Sequence, residues 1–196
     1  MLSRSSLLRT FSASFALFAF GITGTTTILA SFTIGVLGWE QGDLESLAVP
    51  AGLFMLLSLV GGNMAITRFG AVCVMSSAMI LMCLAVSTLI IAPWVKAAVV
   101  IAVFLGALAV ILHPATMDEF ARAFEPSERA QALAVSHTCM GIASNAAASI
   151  FSFLFDPSAT GLNATTPFVL AAVSCALGAT VFITQSAVRV VPVPAS

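Results

Sequence analysis

Charged side chains are scarce in this sequence. Only 8% of the 196 residues carry charge, 7 as lysine or arginine and 8 as aspartate or glutamate, whereas a soluble globular domain carries about 25%. The hydrophobic fraction is 60% and the mean hydropathy is +1.11. These values exclude an ordinary soluble domain. Because the opposite charges nearly cancel, the chain has neither a basic face for nucleic acid nor an acidic tail for a cationic partner.

Short motifs of known enzyme chemistry are also missing. The sequence has no GxSxG nucleophile elbow, no HExxH zinc motif, no P-loop and no GxGxxG after a strand. Water channels carry two Asn-Pro-Ala loops, to which only His113-Pro114-Ala115 comes near, and the Gly-x-Ser nucleophile of intramembrane serine proteases is absent. We therefore expect no enzyme activity and no cofactor.

The sequence has four cysteines, and their spacing shows no pairs. None forms a CxxC motif, and all four lie in the apolar segments described next, which argues against disulfides and against a metal site. They are Cys73, Cys83, Cys139 and Cys175. The sequon at Asn163 lies so close to the membrane that it is a weak glycosylation signal.

Six long intervals contain no charged residue, and each exceeds the roughly 20 residues that cross a bilayer as a helix. Charge inside a bilayer is costly, so spanning helices confine it to their connectors. The sequence thus predicts an all-α membrane protein with one domain of six transmembrane helices in the lipid bilayer. The predicted spans are about 12–37, 48–67, 70–92, 97–117, 131–155 and 167–187, between tails at 1–11 and 188–196.

The distribution of basic residues predicts the orientation. Six spans place both termini on one side, and if that side is cytoplasmic, only Lys96 lies outside, in accordance with the positive-inside rule. Trp39 and Trp94 then fall at outer ends of spans, where indole rings favour the headgroup level. The basic residues expected inside are Arg4, Arg9, Arg68, Arg122, Arg129 and Arg189.

The first span also has features of a targeting sequence, since it follows Arg4, Arg9 and several serines without an acid. A signal h-region has only about 7 to 15 residues, whereas this apolar stretch runs from Phe11 to Leu37. Its removal would leave an odd number of spans and break the charge asymmetry. We therefore expect a retained helix.

Prolines are expected to interrupt spans only near their ends, where freed backbone groups find partners. Pro114 is the deepest of them and predicts a kink. The others are Pro50, Pro93 and Pro167.

Polar side chains inside the spans are the candidates for function. Hydroxyls can bond back to their own helix and small residues can serve close packing, but the amide of Asn145 and the imidazole of His137 exceed what one carbonyl satisfies. A cavity role therefore stays open beside a packing role. No acid lies in a span, so a coupled proton would need His113 or His137. The stripes are Thr23, Thr27 and Ser31 in the first span and His137, Gly141, Asn145, Ser149 and Ser152 in the fifth, with Asn63 in the second.

Three segments, taken in order, resemble the C-terminal six-helix half of the major facilitator superfamily of secondary transporters, over essentially the whole chain. Arg68-Phe69-Gly70 resembles its short cytoplasmic loop, although Asn63, Thr67 and Ala71-Val72 replace the glycine, aspartate and basic pair of the fuller pattern. Pro126–Ala130 resembles its later cytoplasmic loop, with Ala130 in place of glycine and no later Gly-Pro pair. Trp39–Gly42 adds a third, degenerate match.

This resemblance implies a transporter of a small solute by alternating access. It implies that spans one, two, four and five line a cavity, and that Arg68, Gly70 and Arg129 belong to cytoplasmic loop motifs. The cavity candidates on these spans are Thr23, Thr27, Asn63, His137 and Asn145. The family has two six-helix halves. The resemblance therefore leaves three alternatives: a truncated fragment, inactive alone, of a protein whose N-terminal half carries much of the site; a homodimerising half; or a non-transporting packing partner or regulator.

Overall fold

The computed structural model describes residues 4–91, 96–156, 158 and 164–190. These ranges contain seven α-helices and no strand. A 3-10 turn, Leu108–Ile111, joins the helices Lys96–Ala107 and Leu112–Ala123 into one continuous helical segment, Lys96–Ala123, which we call the rod. The helices are α1 (Arg4–Gly35), α2 (Gln41–Phe69), α3 (Ala71–Ile91), α4 (Lys96–Ala107), α5 (Leu112–Ala123), α6 (Pro126–Leu154) and α7 (Thr166–Val190).

Five helical segments of the described chain are long and apolar enough to cross a membrane, which supports a multi-pass integral membrane protein. They are Leu8–Gly35, Gln41–Phe69, Ala71–Ile91, Lys96–Ala123 and Thr166–Ser186. Each coincides with a predicted span. The predicted fifth span lies in α6, which has 29 residues but is not among these five. Its polar side chains lower its hydropathy, so the sixth crossing stays a prediction.

The helices extend beyond the predicted spans at several ends. The predicted N-terminal tail, 1–11, is helical from Arg4, and α6 begins at Pro126, five residues before its predicted span. The absence of charge marks where a helix can enter the bilayer, but hydrogen bonding continues the helix into the charged connectors. The sequence pattern therefore located the apolar segments better than the helix ends.

Prolines act differently at their several positions. Pro114 has no N–H that could bond to the carbonyl of Val110, and Val110 lies in the 3-10 turn between α4 and α5. The 3-10 turn thus lies just before the proline, and the kink itself stays a prediction. Pro50 lies inside α2 without ending it, and Pro167 occupies the first turn of α7, where no N–H is needed. Pro93, Trp94 and Asn163 lie outside the described residues.

The connector between α2 and α3 is a single residue. Gly70 has φ +85°, and its N–H donates to the carbonyl of Ile66 at 2.9 Å. A side chain at this positive φ would be strained, whereas glycine adopts it freely. Gly70 therefore allows the chain to reverse between two membrane helices within one residue.

Packing follows the same pattern in two three-helix units. The first unit is α1, α2 and α3, and the second is the α4–α5 rod, α6 and α7. The first helix of each unit packs against the last two of the other: α1 against α6 and α7, and the rod against α2 and α3. The helices α3 and α7 also pack together. A salt bridge of 3.6 Å between Lys96 and Asp43 places the start of α4 beside the start of α2, so α1 and the rod run in opposite directions.

Close approach of α1 to its neighbours depends on small residues. A Cβ atom at Gly21 or Gly178 would collide with the backbone between α1 and α7, and one at Gly24 would overlap the Phe151 ring of α6. Ser14 donates to the carbonyl of Gly178 at 2.6 Å. Small residues let membrane helices gain van der Waals contact where no hydrophobic force drives association.

Phenylalanine fills the interior between these helices. One ring cluster joins α1, α5 and α7, where Phe11 makes edge contacts with Phe120 and Phe182 at centroid distances of 5.6 and 5.3 Å. A second pair, Phe32 and Phe168, packs edge to face at 4.9 Å between α1 and α7. Such pairs add to the packing that holds the bundle together.

Trp39 follows the C-terminal end of α1, and the membrane depth expected for it stays a prediction. It is buried in the connector between α1 and α2, and the Lys96 ammonium lies 5.2 Å from the centre of its ring. The aromatic face therefore contacts a cation. Together with the salt bridge to Asp43, this contact ties the α1–α2 connector to the start of α4.

Candidate functional site

A cavity of about 260 Å³ lies where α1, the α4–α5 rod and α6 meet. Three of the predicted site residues line it: Thr23 from α1, His113 from α5 and His137 from α6. Its wall is mostly apolar. The remaining lining residues are Phe15, Phe18, Ala19, Ile22, Ala109, Leu112, Thr116, Ser136, Met140 and Ser144.

The two histidines of the chain face each other in this cavity. The ring centroids of His113 and His137 are 5.7 Å apart, with an angle of 59° between the ring planes. Both histidines are exposed, so the cavity is open to the outside of the bundle at this pair. The sequence singled out each imidazole separately, and the fold brings them together as a pair.

Hydroxyl groups complete the polar part of the cavity. The Thr23 hydroxyl donates across the helix interface to the Ser144 hydroxyl at 3.1 Å. The Ser136 side chain is 1% exposed, and its hydroxyl has no hydrogen-bond partner within the described chain. Thr116 bonds the carbonyl of Leu112 in its own helix at 2.6 Å. Thus Ser136 is the one of these hydroxyls that is buried with its bonding capacity unused.

Two other predicted residues lie on the open surface beside the cavity. Asn145 is exposed on α6, and Thr27 is exposed on α1 and donates to the carbonyl of Thr23 at 2.7 Å. Ser31 and Ser149 are exposed on the same two helices. We call this surface, Thr27, Ser31, Asn145 and Ser149, the polar face. It differs from the exposed surface of α2, where Leu57 is 70% exposed among other apolar side chains.

Asn63 is not brought to the cavity. It is exposed on α2, whose buried residues are Ser58, Gly62 and Ile66. Gly62 lies against the Ile111 side chain of the 3-10 turn, so α2 reaches the rod and not α1 at this level. The sequence could not show this, because the pairing of α2 with the rod depends on the packing of the whole bundle.

The predicted loop-motif residues act at the connectors. Arg68 is exposed, with its guanidinium 5.3 Å from the centre of the Phe69 ring, and Gly70 makes the reversal described above. Arg129 donates from Nε to the carbonyl of Phe124 at 2.9 Å, across the α5–α6 connector. These contacts stabilise the turns in which the residues occur.

Of the four α6 residues that line the cavity, the sequence identified His137 and missed the other three. The predicted stripe contains residues 137, 141, 145 and 149, whereas the lining includes Ser136, Met140 and Ser144, the same spacing displaced by one residue. One residue rotates a helix face by about 100°. Both stripes contain small and polar residues, so only the contacts of α6 with α1 decide between them.

A second cleft, which shares no lining residue with the cavity, lies nearer the N-terminus of α1. Arg9, Ser12 and Ala16 from α1 line it opposite Val135 and Cys139 of α6, next to the cavity residues at 15, 19 and 136. Ser12 is 6% exposed and its hydroxyl also has no partner in the described chain. The cleft therefore places one cation beside a second unused hydroxyl.

Comparisons with known proteins give no family. No family model matches the chain, and no curated protein and no solved structure matches it. The described residues also contain no group of three or more histidine, cysteine, aspartate or glutamate side chains that could hold a metal ion. The geometry of the cavity and of the polar face is therefore the basis for a functional proposal.

Proposed function

We propose that this chain is one six-helix half of a secondary transporter and moves a small solute along the surface shared by α1, α5 and α6. The proposal takes α6 as a membrane span in addition to the five segments above and takes up the resemblance to the major facilitator superfamily. The solute would contact the cavity at Thr23, His113 and His137 and pass along the polar face. The cytoplasmic side would be that of the termini.

The observation that carries the proposal is the contrast between two exposed surfaces. Amide and hydroxyl groups within a bilayer need water or protein, because lipid offers them no hydrogen bonds. The polar face groups the exposed amide of Asn145 with hydroxyl side chains of two helices, whereas the exposed surface of α2 consists mainly of apolar side chains such as Leu57 and Val60, with Asn63 among them. A transporter half has both kinds of surface, since one side lines the path and the other meets the bilayer.

The repeated packing pattern supports the resemblance. Major facilitator halves consist of two inverted three-helix units, and the complete transporter places its substrate near the bilayer midplane between two such halves. Here α1 and the rod are the corresponding first helices and run in opposite directions. Each packs against the second and third helices of the other unit. The polar face would then turn towards the second half.

The second half of the proposed transporter would come from one of two sources. It would be another part of a longer polypeptide, or a second copy of this chain related by a two-fold axis. The competing function is that of a packing partner or regulator, in which another membrane protein covers the polar face. That function predicts co-purification with a distinct membrane subunit and tolerance of Asn145→Ala.

Transport is tested by uptake without prior choice of the solute. Membrane vesicles with and without the protein are incubated with a mixture of small metabolites, and their contents are compared by mass spectrometry. We expect at least one solute to accumulate only with the protein. Asn145→Leu should abolish this accumulation because it places an apolar side chain on the path, while folded protein remains at the parental level.

The matched control is Val60→Leu, which changes an exposed apolar side chain of α2. It should leave uptake unchanged because this side chain faces lipid in the proposal. If folded Asn145→Leu protein accumulates the same solute as the parent, the polar face is not the path. If no solute accumulates with any folded form, including the natural full-length protein, the proposed transport is wrong.

A further inference from the structure

The polar side chains of the cavity share one property, which is that all can donate hydrogen bonds and none is acidic. Thr23 donates to Ser144, which leaves the Ser144 proton for an acceptor inside the cavity. Ser136 and the two imidazoles add further donors. Among the described residues, no carboxylate lines either the cavity or the adjoining cleft. Such a lining suits a ligand that brings acceptors and negative charge.

Ser136 gives the first specific sign of such a ligand. Its side chain is almost completely buried and lines the cavity, yet its hydroxyl bonds nothing in the described chain. Many hydroxyls of the described helices instead bond back to their own helix, as Thr138 does to Ala134 at 2.8 Å. A buried polar group without a partner is costly. An acceptor entering the cavity would satisfy it.

The histidine pair gives the second sign. Imidazole gains a proton within the range of about pH 5 to 8, and the rings of His113 and His137 are only 5.7 Å apart. Two protonated rings so close repel each other unless an anion lies beside them. A carboxylate has two oxygens and can accept from both rings, so anion and proton would favour each other's binding.

The cleft at the N-terminal end of the cavity gives the third sign. Arg9 and the buried hydroxyl of Ser12 line this cleft, six and three residues before the cavity residue Phe15 on α1. A cation near a cavity attracts anions and raises their local concentration. Arg9 is therefore the positive charge of the cleft that would favour an anion at this end of α1.

The apolar part of the cavity limits the rest of the ligand. Phe15, Phe18, Ile22, Leu112 and Met140 line it. Its volume of about 260 Å³ is smaller than the roughly 300–1,000 Å³ of sites for drug-sized ligands. A ligand that fits has one anionic end and a short apolar body.

We propose that the cavity binds a small monocarboxylate together with a proton, with the carboxylate between His113, His137 and Ser136 and the apolar body against the phenylalanines. Arg9 would act from the neighbouring cleft. As the identity of the transported solute, this inference rests on the proposed function. Binding itself does not depend on transport and can be measured separately.

Apart from the two histidines, no charged side chain and no cysteine of the described residues lines the cavity. Several lie elsewhere on the surrounding helices, where their titration would affect binding only from a distance. On the elements around the cavity these side chains are Arg9 of α1, Cys73 and Cys83 of α3, Lys96 of α4, Asp118, Glu119 and Arg122 of α5, Glu128, Arg129 and Cys139 of α6, and Cys175 of α7.

The test measures equilibrium binding to the purified full chain in lipid nanodiscs. The probes are radiolabelled butyrate, propanesulfonate and butyramide at about pH 5.5 and about pH 8. We expect butyrate and propanesulfonate to bind about tenfold more tightly at the lower pH, since the protonated pair makes charge-assisted hydrogen bonds. Propanesulfonate stays ionised across this range, so its pH dependence reports the protein. Butyramide should bind weakly at both pH values.

Variants locate the site within the protein. His137→Gln should remove the pH dependence of propanesulfonate binding, and Ser136→Ala should weaken the binding of both anions. Arg9→Gln should slow their association more than it changes dissociation. The matched controls are Thr138→Ala and Arg122→Gln, because Thr138 bonds its own helix and Arg122 pairs with Asp118. Both should bind like the parent.

The inference is overturned if butyramide binds as tightly as butyrate, if propanesulfonate binds equally at both pH values, or if folded His137→Gln binds like the parent. Its failure differs from failure of the proposed function. Uptake of a neutral solute without anion binding would sustain transport and reject the carboxylate. Anion binding in a protein that transports nothing would sustain this site and reject transport.

Discussion

Hydroxyl side chains in the described helices fall into two groups according to what they bond. Many donate to a carbonyl three or four residues earlier, as Thr25 does to Gly21 and Thr180 to Ala176. Such hydroxyls are satisfied within their own helix and need no cavity. Thr23 and Ser14 bond other helices instead, and Ser12 and Ser136 bond nothing in the described chain. The second group marks the helix contacts and the cavity.

The interhelical hydrogen bond from Thr23 to Ser144 can be measured by a double-mutant cycle. Thr23→Val and Ser144→Ala should each lower the free energy of unfolding, with a coupling of about 0.6 kcal/mol, the average for such bonds in membrane proteins. The measurement is unfolding in mixed detergent micelles. A coupling of zero would show that α1 and α6 do not keep this contact.

Gly24 tests the close approach of α1 to α6. Gly24→Ala should destabilise the protein by about 1–3 kcal/mol, because the new methyl group would overlap the buried Phe151 ring. At Gly141 no atom lies within 4 Å of an added Cβ. Gly141→Ala should therefore be neutral or stabilising by up to about 1 kcal/mol, since alanine favours the helix. Thermal unfolding of both variants checks this, and equal losses would contradict the packing.

At the scale of the elements, the sequence predicted more of the helices than of their arrangement. Charge-free intervals located the membrane segments because charge is excluded from the bilayer, and Pro114 indicated the interrupted rod. The lining of the cavity was predicted only in part. Thr23, His113 and His137 were identified because they are polar within apolar segments. Ser136 was not, because the rotation of α6 depends on its contacts with α1.

Replacement of Pro114 should change the backbone of the 3-10 turn between α4 and α5. Pro114→Ala should allow an N–H bond to the carbonyl of Val110 and extend the α-helix through Leu108–Ile111. Amide hydrogen exchange should then slow in this segment. The control is Pro50→Ala, since α2 is already continuous through Pro50. Unchanged exchange in Pro114→Ala would show that other contacts impose the 3-10 turn.

At the scale of the whole molecule, the polar face must contact water or another protein surface if it lies within the bilayer, because lipid offers it no hydrogen bonds. If the chain is half of a transporter, its native unit holds twelve helices. An antibody against the connector at 118–129 should therefore detect in native membranes either a band of roughly 40–50 kDa or a 20.2 kDa band that cross-links to twice its mass. A 20.2 kDa band that never cross-links would contradict the two-half arrangement.

The most direct test of the central claim is whether water reaches the polar face within the membrane. Asn145→Cys and Thr27→Cys are treated in native membranes with a membrane-impermeant thiol reagent, with Leu57→Cys of α2 as the control and the labelling of the parent subtracted. The account predicts labelling at positions 145 and 27 and none at 57. Labelling of none of the three, while a lipid-soluble reagent labels all of them, would place the polar face against lipid and contradict the proposed path.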